Sequence, residues 1–182
     1  MSGERIKYED DGDTLSELSD MFDDLSVDGP TPDQLYRIYG VFLYDVDKNP
    51  IRIKGKNLTF NKSISKHPVC KGKYVGFEHI ITRESKYKGK RDFDRERANK
   101  IHWIKPIIEN AHDARIKYFE RINDDGFNQQ FYWYESKSFL VIVREVNPEM
   151  FLITSFSVDK MMKNKYKKWH EEYKNKKTPL RK

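Results

Sequence analysis

Four runs in the second half of the chain have the aromatic and β-branched composition of β-strands. They read ARIKYFERI, QQFYWYES, SFLVIVREV and MFLITSFSV. Turn residues such as NDDG and NPE separate them, and the connections are short. Short connections join antiparallel neighbours, so this half predicts a four-stranded antiparallel meander. Earlier in the chain, VFLYDV and IRIKG flank the turn residues DKNP and predict a hairpin.

Helical spacing of apolar residues occurs on both sides of these strands. The segment DFDRERANKIHWIKPIIEN, residues 92–110, predicts the best-defined helix, and Pro106 is expected to kink it or to begin a new first turn. Its apolar residues share one face: Ala98, Ile101, Ile104 and Ile108. After the strands, DKMMKNKYKKWHEEYKNKK predicts a basic C-terminal helix. Helices followed by a run of strands predict an α+β domain.

The N-terminal segment has a helical pattern of its own. Apolar residues recur at three- and four-residue steps between Thr14 and Val27, and Thr14 with Glu17 fits a capping box. This predicts a short amphipathic helix, while residues 1–13 are expected to be disordered. We therefore expect an acidic, partly disordered arm at 1–34 and a basic α+β domain at 35–182. The helix could pack on the domain or dock in a groove of a partner protein.

Charge is distributed unequally between these two parts. Residues 1–34 contain eleven Asp or Glu and two Lys or Arg, a net charge of −9, so the remainder of the +6 chain carries +15. Such a basic domain is typical of proteins that bind a polyanion, most often nucleic acid, although a lysine-rich surface alone would give the same balance. We expect RNA, for example a tRNA, as the partner.

Composition also argues against several other classes. The single cysteine, Cys70, excludes a disulfide framework, and no Cys/His spacing indicates zinc, so neither a metal nor another cofactor is expected. No apolar run approaches the ~20 residues of a membrane span, and the acidic N-terminus lacks an apolar signal core. We expect a cytoplasmic protein with no membrane partner.

Several of these segments, taken in order, resemble a known group of enzymes. FEHIITRES, RDFDRERANKIHWIKPIIEN, QQFYWYES, FLVIVREV and FLITSFSVD are together similar to the phage-associated barnase, EndoU, colicin and RelE-like ribonucleases, over Val75–Lys168. The resemblance implies one or two helices packed on a four-stranded antiparallel sheet. It also implies metal-independent RNA cleavage, in which the ribose 2′-hydroxyl attacks the phosphate and leaves a 2′,3′-cyclic phosphate. Members are commonly toxins or effectors of phages and mobile elements.

The chemistry of that reaction selects candidate catalytic residues. It needs a base, an acid and cations that hold the charge of the transition state. His79 and Arg83 supply one proton-transfer group and one cation, and on a helix their spacing would place both on one face. Arg97 is preferred to Arg95 because it lies seven residues before an apolar position and hence near the sheet. Thr154 matches the late-strand hydroxyl of the resembled group.

A second set of residues is expected to contact RNA without taking part in the reaction. The set combines arginines next to the central helix, lysines of the C-terminal helix and one strand aromatic: Arg91, Arg95, Lys165, Lys167, Lys168 and Trp133. Arginine and lysine bind phosphates, and aromatic rings stack on unpaired bases. Core packing is the alternative role for the tryptophan.

Two other functions fit the same sequence. The basic domain could be a non-catalytic module that binds nucleic acid or a protein. The chain could also be a phage protein that acts on a host enzyme through its acidic N-terminal helix. A catalyst requires His79 and Arg83 to line a cleft with a second titratable group, whereas a binder needs only a broad basic surface.

Overall fold

The protein is a mixed α+β structure, as the order of helices and strands predicts. A computed structural model describes residues 13–177. The helices are α1 (Pro32–Phe42), α2 (Val75–Ile81), α3 (Arg95–Asn99), α4 (Ile104–Glu109) and α5 (Lys160–Lys177). The strands are β1 (Arg52–Ile53), β2 (Lys56–Thr59), β3 (Thr82–Glu84), β4 (Arg91–Phe93), β5 (Ile116–Ile122), β6 (Asn128–Tyr134), β7 (Phe139–Val146) and β8 (Glu149–Ser157). A π-helix (Leu43–Lys48) continues α1, and 3-10 turns cover Ile101–Trp103 and Glu135–Lys137.

The main sheet extends the predicted meander by two strands. Its order is β1-β2-β8-β7-β6-β5, so the four predicted strands β5 to β8 are sequential antiparallel neighbours. Strand β2 joins β8 in parallel, with Leu58 opposite Met150. The sheet therefore has six strands rather than four. Strands β3 and β4 form a separate antiparallel hairpin.

Both faces of the sheet are covered. The larger core lies beneath α1, α2 and α4 and includes Phe42, Phe77 and Ile107. On the opposite face α5 packs Tyr166 against Phe131 and Trp133. The predicted basic C-terminal helix is confirmed, and it covers the second face of the sheet. Within residues 13–177, no helix has the length and apolar character needed to cross a bilayer.

The helix predicted between Thr14 and Val27 is wrong. After one turn the backbone is irregular, yet Leu15, Leu18 and Leu25 are buried in the larger core. The side chain of Asn99 binds the N–H and the C=O of Phe22, each at 2.8 Å, and replaces the hydrogen bonds that a helix would supply. We call residues 13–30 the acidic strap. The predicted disorder of residues 1–13 falls almost entirely outside the described residues.

The long helix predicted for residues 92–110 is divided into shorter elements. The segment begins in β4, and Asp94 then caps α3 by accepting a hydrogen bond from the N–H of Arg97 at 3.1 Å. At Lys100 the backbone leaves helical geometry, with φ −117° and ψ 15°. Pro106 lies in the first turn of α4, where its missing N–H has no intrahelical acceptor to lose. The prediction that this proline begins a new first turn is confirmed.

The hairpin predicted around DKNP is also wrong in its first half. Val41 and Phe42 end α1, and Leu43–Lys48 is π-helical. The aromatic side chains of this segment pack inward: the Phe42 ring lies 4.8 Å from that of Phe60 and 5.4 Å from that of Phe77. Burial in the core, rather than strand propensity, sets the backbone here.

Candidate functional site

Two arginine side chains converge on one buried residue, Thr82, where α2 passes into β3. Thr82 is fully buried, and its hydroxyl donates to the carbonyl of Glu78 at 2.6 Å. Arg91 donates from Nε to the Thr82 hydroxyl at 2.8 Å and from Nη2 to the Thr82 carbonyl at 3.0 Å. Arg97 donates to the same carbonyl at 2.9 Å. The backbone of Thr82 thus holds two guanidinium groups next to each other.

Arg97 extends this arrangement to the last strand of the sheet. Its Nη1 donates to the hydroxyl of Thr154 at 3.2 Å, and its guanidinium carbon lies 5.5 Å from the centre of the Phe156 ring. Asp94 lies 3.6 Å from the Arg97 Nε, which is buried and makes no hydrogen bond. Two residues expected to act together, Arg97 and Thr154, are therefore in direct contact.

A β-bulge determines which way Thr154 faces. Ile142 pairs with Thr154 but Val143 pairs with Leu152, so Ile153 is an extra residue in β8. Leu152 therefore enters the larger core, whereas Phe156 packs on the α5 side. A strand without this bulge would place Leu152 and Thr154 on the same face, and the bulge separates them.

The third arginine, Arg83, lies in β3 directly after Thr82. Its side chain is 62% exposed and reaches Asp94 at 3.9 Å. We refer to Arg83, Arg91 and Arg97 as the arginine cluster. Among the described residues only Asp94 forms an ion pair with it, so three positive charges face one carboxylate and the cluster carries a net charge of 3 − 1 = +2.

The pKa of Arg97 responds to this crowding of positive charge. Burial is the first cause that lowers this pKa; Asp94 opposes it, and the neighbouring Arg91 and Arg83 lower it further. Arginine remains protonated in any case. Like charges held close together are stabilised when an anion binds between them, and a planar guanidinium matches the geometry of a phosphate. The arginine cluster is therefore a candidate anion site.

His79 lies in the last turn of α2, within electrostatic reach of Arg91. Its side chain is exposed, and within residues 13–177 its ring has no hydrogen-bond partner. Desolvation by the surrounding chain and the positive charge of Arg91 lower the pKa of His79, while Glu78 opposes the change. At neutral pH the imidazole is uncharged and can accept a proton. The expected helical pairing with Arg83 is wrong, because α2 ends at Ile81 and Arg83 is in a strand.

The close packing of α2 depends on a glycine. A Cβ atom on Gly76 would lie 2.8 Å from the Cβ of Phe60, closer than side-chain atoms approach. The N–H of Gly76 also donates to the carbonyl of Asn61 at 2.8 Å. These contacts fix the helix that carries His79.

An open groove of about 800 Å³ adjoins the arginine cluster and shares Arg91 with it. Its lining includes the following residues: Asp28, Lys66, His67, Pro68, Val69, Glu78, Lys90, Arg91, Asp92 and Phe93. Apart from Arg91, the lining had no role predicted from sequence, because the groove brings together segments that are apart in the chain; His67 and Arg91, for example, are 24 residues apart. Its lining balances three Lys or Arg against three Asp or Glu. We refer to it below as the open groove.

His67, in the wall of the open groove, is held in one tautomer. The N–H of Val69 donates to its Nδ1 at 3.2 Å, so the ring hydrogen is on Nε2, which donates to the Arg91 carbonyl at 2.8 Å. Both nitrogens are occupied, and Nε2 ties this loop to β4. Among the other histidines, His102 is 5% exposed, and burial lowers its pKa to about 4.

Other residues expected to bind RNA have different environments. Arg95 donates from Nε to the carbonyl of Leu25 and from Nη1 to Glu96 at 3.0 Å, and thereby ties the acidic strap to α3. Trp133 is 1% exposed beneath Tyr166, so its expected role in base stacking is wrong. The tryptophan is buried because α5 covers that face of the sheet.

The three lysines predicted to bind RNA are on α5, the helix that covers the second face of the sheet. Lys165 sits 4.5 Å above the Trp169 ring, and Lys167 lies 3.6 Å from Glu135. Lys168 is exposed. None of the three lines the open groove.

Within residues 13–177, no three His, Cys, Asp or Glu side chains are grouped so that they could hold a metal ion. Comparison with protein-family models, with curated proteins and with solved structures finds no match to this chain.

Proposed function

We propose that the protein is a metal-independent endoribonuclease, an effector of the barnase, EndoU, colicin and RelE-like type, whose reaction takes place at the arginine cluster. The observation that carries the proposal is the convergence of three guanidinium groups with a single carboxylate, next to a histidine that is neutral at pH 7. RNA cleavage needs these two elements: positive charge for the phosphate and a base for the 2′-hydroxyl.

In the proposed reaction His79 takes the proton of the ribose 2′-hydroxyl. The 2′-oxygen attacks the adjacent phosphorus, the bond from phosphorus to the 5′-oxygen breaks, and a 2′,3′-cyclic phosphate remains. Arg97 and Arg91 stabilise the two non-bridging oxygens, and Thr154 keeps Arg97 in place. The leaving 5′-oxygen takes a proton from water, because His67 already uses both ring nitrogens.

The lowered pKa of His79 gives the proposal a pH dependence. A base acts only when it is unprotonated, so the rate should rise with pH through the pKa of His79 and level off above it. Because that pKa lies below the ordinary 6.5, the rate should be constant at neutral pH and fall only under acidic conditions. If the rate already decreases when the pH is lowered from 8 to 7, a group other than His79 is the base.

The direct test is cleavage of bulk tRNA and of a labelled single-stranded RNA in the presence of EDTA. We expect cyclic-phosphate ends, and we expect His79→Ala to slow cleavage by about 100- to 10,000-fold, the usual contribution of a positioned base. His112→Ala, which changes another exposed histidine, should leave the rate unchanged. Cleavage that EDTA abolishes, or that His79→Ala leaves intact, would overturn the proposal.

A second function, binding of RNA without cleavage, is favoured by one observation. Within residues 13–177 the His79 ring has no hydrogen-bond partner that would orient it, and catalytic bases are usually held by a second group. RNA binding that is sensitive to salt, with no cleavage by the wild-type protein, would support this function.

The alternative in which an acidic helix docks on a host enzyme loses its structural basis. The strap is not helical, and its apolar residues Leu15, Leu18 and Leu25 are buried inside this chain. A partner could not use them without first opening the core.

A further inference from the structure

The hairpin of β3 and β4 carries a basic tip that projects from the fold. The tip is SKYKGK, residues 85–90, and residues 86–90 are all exposed. Within residues 13–177, no carboxylate forms an ion pair with Lys86, Lys88 or Lys90. From Arg83 to Asp92 the hairpin contains five Lys or Arg and two Asp or Glu, a net charge of +3.

An aromatic ring sits at the centre of this charge. Tyr87 is 61% exposed. The ammonium groups of Lys86 and Lys90 lie 5.1 and 6.0 Å from the centre of its ring. An exposed tyrosine next to lysines can bind a single-stranded nucleic acid, because a base stacks on the ring while the adjacent phosphates contact the cations.

Backbone geometry gives the tip a defined shape. The N–H of Ser85 donates to the carbonyl of Lys90 at 2.9 Å, and the N–H of Lys90 donates to the carbonyl of Tyr87 at 3.1 Å. The Ser85 hydroxyl accepts from the N–H of Tyr87 at 3.2 Å. Gly89 has φ +77°, a conformation that glycine adopts without strain. The ring is therefore presented on an ordered turn.

The hairpin also leads directly to the candidate anion site. Its tip and its second strand, from Gly89 to Phe93, form one wall of the open groove. Arg91, which begins β4 and is part of the arginine cluster, follows Tyr87 by four residues, and the hydrogen bond from the N–H of Lys90 to the carbonyl of Tyr87 at 3.1 Å folds the residues between them into a turn. A strand of nucleic acid stacked on Tyr87 can therefore place a neighbouring phosphate at the cluster.

We propose that the β3–β4 hairpin is an arm that binds single-stranded RNA, with Tyr87 stacking on a base and Lys86, Lys88 and Lys90 contacting phosphates. This rests on the proposed function in so far as the arm delivers its RNA to the arginine cluster. Duplex RNA does not fit the arm equally well, because the faces of paired bases are covered by their neighbours.

The test is fluorescence anisotropy with a short 2′-O-methyl RNA, which lacks the nucleophile and so cannot be cleaved, and with the duplex of the same sequence. Tyr87→Ala should weaken single-strand binding by about 5- to 150-fold and leave duplex binding unchanged. Tyr87→Phe, which keeps the ring, should bind within about twofold of the wild type. Tyr36→Ala removes a tyrosine on α1 that is 49% exposed and serves as the matched control.

The lysines are tested by the salt dependence of binding. Replacing Lys86, Lys88 and Lys90 by alanine should reduce the slope of log affinity against log salt by about 2 for a single strand. The arm is refuted if Tyr87→Ala behaves like Tyr36→Ala, or if it weakens single-strand and duplex binding equally. Circular dichroism verifies that each variant is folded.

The experiments distinguish an incorrect RNA-binding role for the arm from an incorrect ribonuclease activity. If Tyr87→Ala does not change binding while RNA is still cleaved in EDTA in a manner that depends on His79, the arm is wrong and the ribonuclease stands. If Tyr87→Ala weakens single-strand binding but no cleavage occurs, the arm stands and the protein is a binder.

Discussion

Asn99→Ala tests how the acidic strap is held. Asn99 is fully buried; its Nδ2 donates to the carbonyl of Phe22, and its Oδ1 accepts from the N–H of Phe22, both at 2.8 Å. Alanine removes both bonds and leaves a partly buried donor and acceptor without partners. Each such unpaired group costs about 1–3 kcal/mol. If the strap stays docked in the variant, the two groups together lower the free energy of unfolding by about 2–6 kcal/mol.

Other contacts also hold the strap on the domain. The strap also binds through the indole N–H of Trp103, which donates to the carbonyl of Ser19 at 2.9 Å, and through Lys137, which contacts the carbonyls of Ser16 and Leu18 at 3.0 and 2.7 Å. Leu15 and Leu18 bury apolar surface beside them. These contacts are unchanged in Asn99→Ala, so we expect the strap to remain docked but to open more often.

Urea denaturation at pH 7 measures the loss of stability, and limited proteolysis with a protease specific for acidic residues detects opening of the strap. Asn123→Ala is the matched control, because Asn123 accepts one local hydrogen bond from the N–H of Phe127 at 2.9 Å in an exposed turn. We expect Asn99→Ala to lose at least about 2 kcal/mol and the control less than about 1 kcal/mol. Equal losses in the two variants would refute the docking role of Asn99.

Three further predictions follow from burial and charge. Burial lowers the pKa of His102 to about 4, so between pH 6.5 and 4 the unfolded chain binds a proton that the folded chain does not. The free energy of unfolding should therefore fall by up to about 3 kcal/mol as the pH is lowered from 6.5 to 4. In urea titrations this fall should be larger for the wild type than for His102→Gln. Trp133→Ala should cost about 3–5 kcal/mol of stability in urea titrations while the folded fraction keeps its affinity for RNA, and a specific loss of affinity would contradict burial of the ring. Asp28→Asn should raise RNA affinity about threefold at low salt, because Asp28 lines the open groove together with Arg91 and its carboxylate repels phosphate; Asp124→Asn, in the turn after β5, is the control, and an effect that persists at high salt would speak against electrostatics.

Patterns that depend on neighbours in sequence were sufficient to predict β5 to β8 and α5. In β6, for example, alternation separates Phe131 and Trp133 from Tyr132 and Tyr134, and the two pairs do enter different core clusters. The same alternation could not indicate that α5 covers the face that carries Phe131 and Trp133. Trp133 was expected to be accessible because nothing in its own strand indicates that Tyr166 of α5 packs over it.

The acidic strap illustrates a different limit. Its apolar residues recur at helical steps, yet the groups that hold its backbone, Asn99 and Lys137, lie 77 to 121 residues away in the chain. A segment whose hydrogen bonds are supplied from a distance need not form its own helix. The opposite happens at Leu43–Lys48, where residues with strand propensity are helical because their neighbours are buried.

Only part of the candidate site could be predicted from the sequence, because its contacts also join residues that are far apart in the chain. Arg97 and Thr154 were selected from separate local arguments, and the structure brings them to 3.2 Å. Thr82, which organises the arginine cluster, was missed, since a threonine after two isoleucines carries no local signal. His79 and Arg83 were joined by an assumed helix that ends before Arg83.

The positive charges of the site fall into two physical kinds. Arg91 and Arg97 are already oriented by the carbonyl of Thr82, so an anion that binds them loses little side-chain freedom, and the geometry of its phosphate is selected. Lys86, Lys88 and Lys90 are exposed and form no ion pair within residues 13–177, so they attract a polyanion without selecting its geometry. Mutation of the lysines should therefore change mainly the salt dependence and the rate of association. Mutation of Arg97 should change mainly dissociation and, if the protein is a ribonuclease, the rate of the chemical step. The order of events that this division implies is capture of a single strand at the tip, followed by fixation of one phosphate at the cluster.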